Sequence, residues 1–166
     1  KTLDATGFTV GTGNNANQNG HTFYFFAFKQ VAGAMDVGTY TGTGANKTIS
    51  SSDDAGLTFQ SDFTFMKNST NAAASGVATF DRGNFSVAFT DLTAGGNFFR
   101  EQTSTGGFKV GTFSSVNGNG APMYYATFGG AASLNTGGTY RYASGTYTGT
   151  GSALSVTGLG FRPDLV

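Results

Sequence analysis

The chain has 166 residues, of which only 11% are charged, and its formal net charge is zero; roughly 25% charged is usual for a soluble domain. Its nine Lys and Arg are scattered from Lys1 to Arg162 without forming a stripe, which excludes the electrostatic footprint of a nucleic-acid or anionic-lipid binder. Cysteine is absent, which excludes a disulfide framework and a thiolate metal site.

Gly, Thr, Ser, Asn, Phe, Tyr and Val dominate the sequence, a mixture that describes short strands joined by tight turns. The longest purely apolar run, Phe23 to Phe28, is far short of the roughly 20 residues of a membrane helix. The sequence opens on Lys1 with neither an initiator Met nor a signal-peptide pattern, and is expected to be a processed or excised piece.

In chain order, Gly7-Phe8-Thr9-Val10-Gly11 predicts a short strand with Phe8 and Val10 on one face. Asn19-Gly20 is the dipeptide that most readily takes positive φ in a hairpin turn. His21 to Lys29 carries apolar residues on both faces, which predicts a central strand between two packed layers. The turn-rich block Gly38-Thr-Tyr-Thr-Gly-Thr-Gly44 follows. Thr58 to Met66 alternates, with Phe59, Phe63 and Phe65 expected on the core side and Thr58, Gln60, Asp62 and Thr64 on the other. Strands are expected at Val77 to Phe80, Phe85 to Phe89 and Asn97 to Gln102, with turns at Asp81 to Asn84 and Thr93 to Gly96. No stretch has the 3.6-residue period of an amphipathic helix.

Gly107 to Phe128, GFKVGTFSSVNGNGAPMYYATF, repeats Gly7 to Phe28, GFTVGTGNNANQNGHTFYFFAF, without a gap. Ten of the 22 positions are identical, among them Gly7/Gly107, Phe8/Phe108, Val10/Val110, Asn17/Asn117, Gly20/Gly120 and Phe28/Phe128. Gly38 to Gly44 returns unchanged as Gly145 to Gly151, and Leu57 to Phe63 aligns with Leu159 to Leu165. Three blocks in one order identify a duplication with a unit of about 100 residues. Residues 1–106 form the first unit and 107–166 part of a second, expected to pack with the first as one body.

Catalytic chemistry finds little to stand on. His21 is the only histidine and Glu101 the only glutamate, so no nucleophile, base and orienting acid can be assembled. His21 is replaced by Ala121 in the second copy and reads as a solvated strand-start residue. Asp53-Asp54 is the one adjacent carboxylate pair, and it reads as a loop charge pair rather than as glycosidase machinery. Asp62 and Asp164 match between copies and read as partners of turn amides. No cofactor is expected. Calcium is the one metal that loop oxygens at Asp36, Asp53, Asp54, Asp81 and Asp91 would suit, but no Asp-x-Asp-x-Asp-Gly pattern organises them. Asn46, Asn68 and Asn84 each begin an Asn-x-Ser/Thr triplet, the acceptor pattern for glycosylation.

Tyr24, Phe25, Phe26, Tyr124 and Tyr125 lie inside expected strands and read as core. Tyr140, Tyr142 and Tyr147 interleave with Arg141 and Ser144, which makes them the expected surface for a ligand or a neighbouring subunit.

The recurring pattern Gly-Phe-x-Val-Gly, Asn-x-x-Gly, a Tyr-rich strand, Tyr-x-Gly-x-Gly and Gly-Phe-x-Pro-Asp resembles a repeated module of phage tail-fibre and bacterial surface proteins. The first copy departs from it at Ser61, where Pro163 stands in the second. The resemblance implies a laminin-G-like or concanavalin-like β-sandwich, without catalytic residues, in an adhesive or fibre-forming role at a surface.

The sequence thus predicts an all-β protein, an antiparallel sandwich of jelly-roll or concanavalin type whose second copy is incomplete, and not an enzyme. Its expected role is that of a structural subunit of an extracellular or virion-surface fibre, binding copies of itself. Phe8, Val10, Phe161, Leu165 and Val166 mark the expected strand-exchange segments. The rival expectation is a carbohydrate-binding module that stacks glycans on Tyr140, Tyr142 and Tyr147.

Overall fold

The computed structural model describes residues 2–3, 5–25, 27–70, 76–79, 85–88, 91–96, 106–129 and 147–163; at 2–3, 15 and 76–96 the description is of backbone alone. Among the described residues the regular structure is mostly antiparallel strand. The strands are β1 (Thr2–Leu3), β2 (Phe8–Thr9), β3 (Met35–Thr41), β4 (Lys47–Ile49), β5 (Ser61–Asn68), β6 (Gly76–Thr79), β7 (Phe85–Ala88), β8 (Asp91–Gly96), β9 (Phe108–Val110) and β10 (Pro122–Gly129). Two single helical turns, α1 (Asn14–Asn17) and α2 (Ser114–Asn117), interrupt them. Four residues are too few to display a helical period, so composition gives no sign of either turn.

Six strands form one sheet in the order β3-β10-β5-β6-β7-β8. β10 lies between β3 and β5, with Tyr125 opposite both Gly38 and Met66. β4 and β9 form a separate pair, with Ile49 opposite Phe108 and Lys47 opposite Val110; β1 and β2 form another. β10, from the 107–128 segment and Gly129, is thus the second strand of the large sheet, next to the edge strand β3, and the other five strands lie within residues 35–96.

One face of this sheet carries the core. Tyr40, Met66, Met123 and Tyr125 point to it, and Ile49, Phe108, Val110 and Val116 cover it from the β4–β9 pair and α2. Phe108 stands edge-on to Tyr125 at 5.2 Å and to Tyr40 at 6.3 Å between ring centroids, the arrangement that aromatic quadrupoles favour.

Burial of β5 is the reverse of the expected one. Thr64, Met66 and Asn68 are buried, while Phe63 and Phe65 are half-buried. The β4–β9 pair and α2 cover the Thr side, and that side accepts burial because its polar atoms are paired. Thr64 and Thr127 share a hydroxyl hydrogen bond of 2.8 Å, and Asn68 Nδ2 donates to the Ser114 carbonyl at 2.8 Å. Phe63 and Phe65 instead meet Phe128 on the far face.

Three further expectations are corrected. Residues 21–25 and 27–29 form no strand, and Tyr24 is 93% exposed; β10, from the matching segment, is a strand paired on both edges. Thr93 to Gly96 belongs to β8 rather than to a turn, paired with β7. Gly20 and Gly120 do take positive φ, 77° and 70°, but the turn at Gly120 joins α2 to β10 and not two strands of a hairpin. The expected strand at 97–102 and turn at 81–84 lie outside the described residues. Among the described residues no helix is long and apolar enough to cross a membrane.

Candidate functional site

Among the described residues, the most elaborate polar construction is the seat of α2 on the loop after β3. Asn117 is its hub and is fully buried. Its Oδ1 accepts from Thr43 N at 2.8 Å, its carbonyl accepts from Gly44 N at 2.8 Å, and its Nδ2 donates to Gly111 O at 2.7 Å and also to Ala45 O. An asparagine carries one acceptor and two donors on its side chain, and here all are used.

Around this hub, Gly42 N donates to Ala121 O and Gly120 N donates to Gly42 O, both at 2.9 Å. The Tyr40 hydroxyl donates to the Val116 carbonyl. Burial foremost, and then the charge of Asp53, pushes the Tyr40 phenol far above its ordinary value, so it remains a donor. Gly42 is required here: a Cβ at that position would lie 2.1 Å from Gly118 O. Gly107 is required twice over, with φ at 80° and Ile49 O at 1.9 Å from a built Cβ.

The first copy has the same local backbone. Asn17 N donates to Gly13 O as Asn117 N does to Phe113 O, at 3.0 and 2.8 Å. Asn17 Nδ2 donates to Gly11 O at 3.0 Å, matching the Asn117–Gly111 bond. Its surroundings differ. Phe8 is 41% exposed where Phe108 is 0% exposed, and Phe23 and Phe25 are exposed where Met123 and Tyr125 are buried.

A second cluster sits at the start of β3. Asp36 is buried and accepts from the Tyr125 hydroxyl at 2.8 Å and from Gln30 Nε2. Burial, and to a smaller extent the charge of Asp54, holds its carboxyl above the usual aspartate value, with the Tyr125 bond acting in the opposite sense. The Tyr125 phenol is itself pushed far up by burial and by Asp36. Asp54 Oδ2 and the Tyr125 hydroxyl fill the space that a Cβ at Gly38 would need. Asp36 and Asp54 thus flank a phenol that stays neutral.

Beside it, Thr39, Thr41, Ser52, Pro122 and Tyr124, together with Lys47 and Asp53, line an open hollow of about 470 Å³. Lys47 and Asp53 form an ion pair of 2.9 Å.

Of the residues singled out from the sequence, Tyr147 is exposed and Phe161 half-buried, Phe8 and Val10 are exposed, and Tyr140, Tyr142, Leu165 and Val166 lie outside the described residues. Tyr125 belongs to the core and Tyr124 is exposed; Phe26 lies outside the described residues. Asp53 binds Lys47 and Ser50 N, and Asp54 accepts from Gly56 N at 3.1 Å, so the adjacent carboxylates organise their own loop. Asp62 lies in β5, and Asp81, Asn84 and Asp164 lie outside the described residues. Asn46 is exposed, whereas Asn68 is buried and bonded to Ser114 O and Thr70, which shuts it to glycosylation in the folded protein. Among the described residues no three His, Asp or Glu side chains converge to hold a metal.

Composition and spacing do not mark Asn117 and Gly42 as the residues that join α2 to the loop after β3; the only trace of them in the sequence is the duplication, in which Asn17 and Gly149 are their counterparts. Comparison with protein-family models, curated proteins and solved structures gives no match to this chain.

Proposed function

We propose that the protein is a structural, non-catalytic subunit of an extracellular fibre, filament or surface appendage that assembles head-to-tail by strand complementation between subunits. Its architecture in this reading is a laminin-G-like or concanavalin-like sandwich made from a duplicated unit, and its setting is a cell or virion surface. One observation carries the reading. β10, from the second copy, is paired on both edges, between β3 and β5 of the first, while residues 21–25 of the first copy form no strand and present Phe23, Tyr24 and Phe25 to solvent. A segment that completes a sheet in one copy and lies uncovered in the other is the raw material of strand addition. Head-to-tail addition of this kind repeats without closing. Light scattering coupled to size exclusion, followed by negative-stain microscopy, tests it: elongated oligomers are expected, and a stable monomer at high concentration overturns the reading.

A glycan-binding, adhesive role is the second reading. The hollow beside Tyr124 favours it, because an exposed ring flanked by Thr39, Thr41, Ser52 and Asp53 offers stacking and hydroxyl partners together. Tyr147, also exposed, adds a further ring. Saturable binding on a glycan array, lost in Tyr124→Ala, is the expected result; a blank array removes this reading.

A further inference from the structure

The seat of α2 is a plug in a socket, and both parts occur a second time in the chain. The plug is residues 107–128, and its counterpart is residues 7–28. The socket is the run from Gly38 through the loop at 42–45 into β4, and its counterpart begins at Gly145, of which residues 147–163 are described. The offset of 107 positions that relates Gly38–Gly44 to Gly145–Gly151 carries on, placing Leu154-Ser155-Val156 where β4 has Lys47-Thr48-Ile49.

The turn of the second socket already has the shape of the first. Gly151 has φ 73° where Gly44 has 70°. Thr150 Oγ1 bonds Ser152 O and Ser152 N at 3.3 and 3.4 Å, as Thr43 Oγ1 bonds Ala45 O and Ala45 N at 3.0 and 3.3 Å. It stands open, however. Tyr147 is 70% exposed against 5% for Tyr40, and Leu154 and Val156 are exposed. A Cβ at Gly149 would meet nothing within 4 Å, in contrast to Gly42.

We propose that residues 7–28 of one copy of this chain dock on residues 147–163 of another, reproducing between chains the plug-and-socket contact that each chain makes within itself. The inference rests on the strand-complementation reading and specifies its partner, polarity and register. Val10 would stand opposite Leu154 and Phe8 opposite Val156, as Val110 stands opposite Lys47 and Phe108 opposite Ile49. β2 pairs with β1 along one edge, and a strand has two edges. Asn17 would take the place of Asn117, accepting from Thr150 N and Gly151 N, and the Tyr147 hydroxyl would donate to Ala16 O. Preformed turns on both sides lower the ordering cost of association. The folding unit is thereby displaced from the sequence repeat: each complete unit takes a strand paired on both edges from the copy that follows.

Because the chain contains no cysteine, single cysteines report the register cleanly. Val10→Cys and Leu154→Cys are made in separate chains, mixed in equal amounts and oxidised mildly; both positions are solvent-exposed, and circular dichroism checks the fold of each. A disulfide-linked heterodimer is expected, and a ladder of oligomers from the chain carrying both changes. Adding Gly149→Ala to the Leu154→Cys chain is expected to abolish the crosslink, since its methyl would strike Gln18 O as a Cβ at Gly42 would strike Gly118 O.

An internal disulfide in a monomeric double variant overturns docking between copies. Oligomers that form without the crosslink overturn this register while leaving strand complementation standing. A monomer with no crosslink overturns both.

Discussion

The Tyr40 hydroxyl donates to the carbonyl of Val116, 76 positions further along the chain. The bond ties the first unit of the repeat to the second, in a place where water cannot replace it. Tyr40→Phe removes the donor and leaves a buried carbonyl short of a partner, a loss of about 1–3 kcal/mol. Urea unfolding followed by circular dichroism should show a lower midpoint with an unchanged slope.

Asn117 and Asn17 occupy the same place in the two copies but differ in surroundings. Asn117→Ala strips bonds from Thr43, Ala45 and Gly111 at once, and a loss of roughly 3 kcal/mol or more is expected from leaving several buried groups unpaired. Asn17→Ala in the monomer should fall within about 0.5 kcal/mol of the parent, the ordinary range for an exposed position. Paired denaturation curves check the contrast.

Phe108 and Phe8 make the corresponding apolar comparison. Phe108→Ala empties a fully buried site between Tyr40 and Tyr125, with an expected cost of about 3–5 kcal/mol. Phe8→Ala costs far less in the monomer and is expected to weaken self-association, which sedimentation velocity reads directly.

Asp36 sets a pH dependence whose sign follows from its raised pKa. Burial lifts the folded-state value above the ordinary 3.8, so between the two values the folded protein binds more protons than the unfolded chain. This contribution is at full strength below the ordinary value and is lost as pH rises through the folded value. Asp36→Asn removes the titration. The melting temperature of the variant, relative to the parent, should therefore be higher at pH 7 than at pH 3.5. A difference that ran the other way would show that the Tyr125 and Gln30 bonds outweigh burial.

Much of the backbone was legible in composition. The antiparallel, all-β character follows from Gly-, Thr- and Phe-rich strands, and the positive φ of Gly20, Gly44, Gly120 and Gly151 belongs to residues without a Cβ penalty. Burial was less legible. Phe63 and Phe65 read as core by alternation, yet Thr64, Met66 and Asn68 are the deeper residues, because alternation separates two faces without saying which will meet a second layer.

By itself the sequence determined the repeat, its three blocks and the local turns, since these rest on identity and on dihedral preferences that act within a few residues. Only the tertiary structure decided which copy of a near-identical segment is buried. Residues 107–128 find β3, β4 and β5 beside them, and Asn117, Phe108 and Tyr125 leave water. Residues 7–28 keep the same helical turn and glycine turn, yet Tyr24 and Phe25 stay exposed. Burial is a property of what lies alongside, and a local pattern, however faithfully repeated, carries no record of it.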